Sequence, residues 1–116
     1  MLTEKDYCDY EACVALKELG CPMIKEGYLG ISLYSAQKWL REKKDIHIEV
    51  YACAGGYIYE LCKAYKPNSF SGGTTIYTPN DVDNSKLNDA GRYDDFETCL
   101  SEGIKEAVKI LKEERK

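Results

Sequence analysis

Six residues capable of chemistry recur at every second position along two runs of the chain: His47, Glu49, Tyr51 and Cys53, then Glu60 and Cys62. A spacing of two puts side chains on one face of a strand. A cysteine, a histidine and a carboxylate sharing a face are the components of a thiol nucleophile with its base. A two-residue turn at Gly55-Gly56 sets Cys53 opposite Ile58, Tyr51 opposite Glu60, and Glu49 opposite Cys62. On that register His47 stands about three residue pairs from Cys53, beyond hydrogen-bond reach at about 3.3 Å per residue. Cys62 is only diagonal to His47, and no group is evident to orient the imidazole. The face therefore reads as a solvated or interface surface. No catalytic residue is expected, and His47 reads as structural or exposed rather than as a metal ligand.

A second candidate is S-F-S-G-G-T-T, Ser69 to Thr75. Its glycines let backbone N–H groups converge on an anion, and its hydroxyls add donors. Lys66 or Arg92 would supply charge, and Tyr65, Phe70 and Tyr77 would give a base something to stack on. The expected ligand site is thus Lys66, Ser69, Phe70, Ser71, Gly72, Gly73, Thr74, Tyr77 and Arg92. It is not a P-loop, because no G-K-[ST] follows and no strand-to-helix context fits. The polar run after it begins like a calcium loop at Asp81, but Lys86 takes the glycine position and Arg92 the bidentate-acid position, so no calcium site is expected. Cys8, Cys13, Cys21, Cys53, Cys62 and Cys99 contain no C-x-x-C pair, and neither metal nor cofactor is expected.

These residues hang on an α+β scaffold. Thr3 and Asp6 suggest a capping box opening a helix over about Glu4 to Leu19, with Tyr7, Tyr10 and Val14 on its buried side, and Leu16 and Leu19 as further members. Gly20 ends it, and Pro22 blocks its continuation. A connector from Cys21 to Ile31 carries a short strand around Tyr28. Ser32 caps a second helix in which Leu33, Ala36, Trp39 and Leu40 recur at helical spacing. Ile46, Ile48 and Val50 then alternate as the apolar side of a strand, and Tyr59 and Leu61 continue that side after the glycine turn. Lys66 to Tyr93 is a long irregular stretch with a third strand at Thr74 to Thr78, which the hairpin needs for stability. A D-x-x-E box at Asp94 and Glu97 opens a final helix with the stripe Phe96, Leu100, Ile104, Ala107, Val108 and Leu111. The fold expected is a short antiparallel sheet packed against two or three helices, in a single domain over residues 1–116.

Of the 116 residues, 44% are hydrophobic and 31% charged, the balance of a globular chain. A formal net charge of −4 argues against charge-driven binding to duplex nucleic acid or to an anionic membrane. Met1 leads at once into an acidic helix start, so no secretory leader is expected, and no apolar run is long enough to span a bilayer. A cytoplasmic location and reduced thiols follow as expectations. Ten tyrosines against two phenylalanines favour half-wet surfaces, oligomer interfaces and stacking pockets.

Two segments, AQKWLREKKDIHIEV (Ala36 to Val50) and YDDFETCLSEGIKEAVKIL (Tyr93 to Leu111), resemble a family of small uncharacterised proteins of Bacteroidetes bacteria and their phages. The shared residues are mostly scaffold, and the family has no assigned activity to carry over. What the resemblance implies is context: an accessory protein that binds and disables a host component, in the host cytoplasm if phage-encoded. The leading expectation is a non-catalytic, homo-oligomeric binding protein that sequesters a small nucleotide-like signal in evasion of host antiviral defence. The alternatives are a protein-interaction module inhibiting a host protein, and a small phosphodiesterase-like or thiol enzyme.

Overall fold

The long N-terminal helix expected from Glu4 is broken in two. The computed structural model describes residues 2–22, 24–25, 29–63, 74–77 and 86–114. In it Glu4–Asp6 form a single 3-10 turn, and helix α1 begins only at Tyr10 and ends at Glu18. The Asp6 carboxylate accepts from the Thr3 N–H at 2.8 Å, as the capping box requires, but Tyr7 then turns extended. Asp9 caps the true helix by accepting from the Ala12 N–H at 2.9 Å. The interruption rotates the helix relative to the expected stripe: Ala12, Cys13, Ala15 and Leu16 are buried, whereas Tyr7, Tyr10 and Val14 are exposed. Gly20 ends α1 at φ +98°, and the Cys21 N–H closes back on the Leu16 carbonyl at 2.9 Å.

Two short strands, β1 (Ile24–Lys25) and β2 (Leu29–Gly30), pair antiparallel, and Tyr28, the expected centre of a single strand, lies outside the described residues. Ser32 caps helix α2 (Leu33–Lys44) by accepting from the Ser35 N–H. Leu33, Ala36 and Leu40 are buried, and Trp39 is half-buried under the Lys44 ammonium. Strands β3 (His47–Cys53), β4 (Gly56–Lys63) and β5 (Thr74–Tyr77) form an antiparallel sheet in that order. The fold is α+β as expected, with the third strand in place on the edge of the hairpin.

Helix α3 (Phe96–Glu114) lies across β3 and β4, and α1 and α2 pack against it. Its N-terminus is capped by Asp95, which accepts from the Thr98 N–H at 2.7 Å, and not by Asp94 of the expected box. Asp94 instead accepts from the Asn88 amide. Ile46, Ile48, Tyr59 and Leu61 face Leu100, Ile104 and Ala107 in one core. No described helix is long and apolar enough to cross a membrane.

Aspartates hold the starts of α1 and α3, which sets how the fold responds to acid. The Asp9 carboxyl is held below its ordinary 3.8: burial pushes it up, but the Lys105 ammonium at 2.6 Å and the Ala12 N–H outweigh burial. Asp95 is also held low, by the Thr98 N–H first. A carboxyl whose folded pKa is depressed stabilises above its unfolded pKa, and that contribution is lost as pH falls through the folded value. The melting temperature should therefore stay level down to about pH 4 and fall below it. Asp9→Ala, which removes a cap and an ion pair together, should cost about 1–2 kcal/mol in urea titration at neutral pH and weaken the acid-dependent loss.

Candidate functional site

The hairpin turn lies one residue earlier than expected, at Ala54-Gly55, so Cys53 pairs with Gly56. The partners move by two residues: Tyr51 stands opposite Ile58, Glu49 opposite Glu60, and His47 opposite Cys62. A shift of two keeps every side chain on its expected face while changing its neighbours. The cause is visible at the tip. Asn88 donates through Nδ2 to the Gly55 carbonyl at 2.8 Å and accepts through Oδ1 from the N–H groups of Ala90 and Arg92. Tyr57 and Tyr93 exchange both backbone bonds, at 2.9 and 3.0 Å. The 88–93 segment thus grips the tip as a further strip of backbone.

That grip delivers Arg92 to the tip. Its Nε donates to Cys53 Sγ at 2.9 Å and its Nη1 to the Gly91 carbonyl at 3.1 Å, so the guanidinium is oriented by two bonds. Tyr51 is 43% exposed and donates to Glu60 Oε1 at 3.2 Å. Burial and the Glu60 carboxylate push its hydroxyl pKa up, which keeps it protonated as a donor. Tyr51 and Ile58 together form an apolar centre on a face that, among the described residues, no helix covers.

Toward the opposite end of the face, His47 Nε2 lies 3.3 Å from Asp45 Oδ1. Asp45 ends α2 in the left-handed region at φ 53°, which turns its side chain toward the strand that follows. A carboxylate therefore lies beside the imidazole, and Cys62 is directly across the ladder from His47 rather than diagonal. The signal was the D-x-H spacing at the helix-to-strand junction.

The expected ligand residues are only partly placed. Lys66, Ser69, Phe70, Ser71, Gly72 and Gly73 lie outside the described residues. Thr74 pairs with Lys63, and Tyr77 with Leu61. Arg92 is at the other end of β4, beside Gly56, which is seven residues from Lys63, or about 23 Å along the strand. Arg92 and Thr74 are thus not adjacent. The thiols of Cys8, Cys21 and Cys99 are pushed up to about 12, 11 and 12, by burial in each case, and remain inert packing groups. A groove of about 530 Å³ opens where the three helices end, lined by Leu19, Leu111, Lys43, Lys44 and Glu114 among others. Its floor is apolar and its rim carries both signs of charge. Among the described residues no cluster has a metal-ligating arrangement. Comparison with protein-family models, curated proteins and solved structures found no match.

Proposed function

We propose that the protein is a non-catalytic binding protein whose recognition surface is the Tyr51 face of the β3–β4 hairpin. The observation that carries this reading is the exposed Tyr51 opposite a half-buried Ile58, with Arg92 held by two bonds at the edge of the pair. Tyrosine and arginine dominate binding hot spots, because each combines a flat apolar area with directed donors at low ordering cost. The face of paired strands suits a protein partner better than a small molecule, which takes an enclosed pocket. A second copy related by a two-fold axis is one such partner, and the phage context implied by the resemblance makes a host protein another.

Sequestration of a nucleotide-like ligand is a second reading. It is supported by β5, whose Thr74 and Thr75 pair with Lys63 and Cys62 on the edge of β4. Calorimetry with linear and cyclic nucleotides separates the two: heat that disappears in Gly73→Val belongs to this second reading.

Tyr51→Asp tests the first. The substituted side chain points to solvent, so the melting temperature should change by no more than a few degrees. Self-association or partner affinity should fall by about tenfold or more, the loss expected of a central hot-spot residue. Sedimentation velocity and surface-binding titrations read both. Unchanged association in a folded Tyr51→Asp protein would remove the sheet face from consideration.

A further inference from the structure

We propose that two copies of the chain join edge to edge along β3, so that the sheet continues across a two-fold axis at Tyr51. Residues of an antiparallel ladder alternate between those bonded to the neighbouring strand and those whose N–H and C=O point away from it. Tyr57, opposite Ala52, exchanges its backbone bonds with Tyr93, and the Ile48 carbonyl accepts from Gln37 Nε2 at 2.8 Å. Ala52 and Ile48 therefore belong to the outward set, and Val50 between them does too. Among the described residues no strand lies on that side of β3, and the outward N–H and C=O of Val50 and Ala52 meet no partner. Val50 is only half-buried and Ala52 is exposed. An open edge of this kind is a template for another strand.

The free groups select both the register and the occupant. Val50 of each copy paired with Ala52 of the other uses every free group of the two edges, in an isologous contact. With Val50 opposite itself, Ala52 would meet Ile48, whose carbonyl Gln37 already holds. With Ala52 opposite itself, Val50 would meet Ala54 in the turn. In the selected register Tyr51 faces its own copy across the axis, with Cα atoms about 4.5 Å apart, where aromatic side chains meet. Glu49 stands opposite Cys53 of the second copy, and Cys53 Sγ accepts from Arg92 Nε. Each Glu49 carboxylate is thus brought to an Arg92 guanidinium, and among the described residues neither group forms an ion pair within its own chain. That complementarity favours a second copy over an unrelated strand. The inference rests on the hairpin being the recognition surface, and names its partner and its geometry.

Hydrogen exchange of the wild-type chain, read amide by amide in concentrated and in dilute solution, tests the edge without any substitution. The Val50 and Ala52 amides should exchange slowly in concentrated protein and fast on dilution, while Glu49 and Tyr51, bonded to β4, stay slow in both. Ala52→Pro removes an N–H that the β3–β4 ladder does not use, and edge strands accept proline. It should sediment as a folded monomer where the wild type sediments as a dimer. Glu49→Cys should give a covalent dimer on mild oxidation, because that Cα spacing suits a disulfide, and peptide mapping should find the introduced thiol joined to Cys53 of the second copy. If Ala52→Pro does not fold, the exchange pattern and this linkage decide. A monomeric wild type, or fast exchange at Val50 and Ala52 at every concentration, would overturn the proposal. A dimer that persists in folded Ala52→Pro would also overturn it. If Tyr51→Asp then dissolves that dimer, the hairpin face stands as the recognition surface and the edge pairing alone falls.

Discussion

Gly103→Leu should destabilise the fold by about 4 kcal/mol. Helix α3 lies tight against the sheet at this glycine: a Cβ there would sit 2.7 Å from Ile48 Cγ2 and 3.4 Å from the Tyr59 ring. Both neighbours are buried core residues, so neither has space to yield. A larger side chain must lift the helix, and lifting it uncovers Leu100, Ile104 and Ala107, which lie on the same stripe. Overpacking alone costs about 1–3 kcal/mol, and partial loss of the helix–sheet contact adds to it. A total near 4 kcal/mol is a large share of the about 5–15 kcal/mol by which a small domain is stable. Gly103→Ala offers the finer test. Helix propensity favours alanine by up to about 1 kcal/mol, so an open site would be stabilised. Here the Ile48 contact should reverse the sign, and urea midpoints should fall in the order Gly, Ala, Leu.

Gly56→Ala should cost about 3 kcal/mol and loosen the hairpin tip. Gly56 has φ +143°, a conformation that side chains rarely adopt, and an added Cβ would lie 2.3 Å from the Tyr93 carbonyl oxygen. That oxygen cannot retreat without breaking its bond from the Tyr57 N–H at 2.9 Å. The substitution therefore combines backbone strain of about 1–3 kcal/mol with loss of a strip of paired backbone. Hydrogen exchange should show the Tyr57 and Tyr93 amides losing protection before those of α3. Because the same strip carries Arg92 to Cys53, association through the sheet face should weaken even where the rest of the domain stays folded. Full protection at Tyr93 in Gly56→Ala would contradict the proposed grip.

The elements were legible where the chain repeats itself. The α3 stripe and the alternation from Ile46 to Val50 each name their buried face, and the observed core follows both. Local punctuation misled at Thr3 and Asp6, a sound capping box that closes only a 3-10 turn, because Asp9 offers a better cap four residues before Cys13. The hairpin register escaped the sequence because two consecutive glycines allow either turn, and the choice is made by Asn88 and Tyr93 from far along the chain. For the same reason, His47 could not be set opposite Cys62 until the ladder was known. Arg92 was named from charge alone, and its place at the tip depends on the fold of residues 88–93.

Native mass spectrometry of the wild-type chain and of Tyr51→Asp, each recovered from cells without denaturation, tests the recognition surface most directly. The bare chain has a mass of 13.2 kDa. The wild type should appear above that mass, joined to a second copy or another protein. Tyr51→Asp, with an unaltered melting curve, should return to 13.2 kDa. Identical spectra for the two proteins would contradict the account.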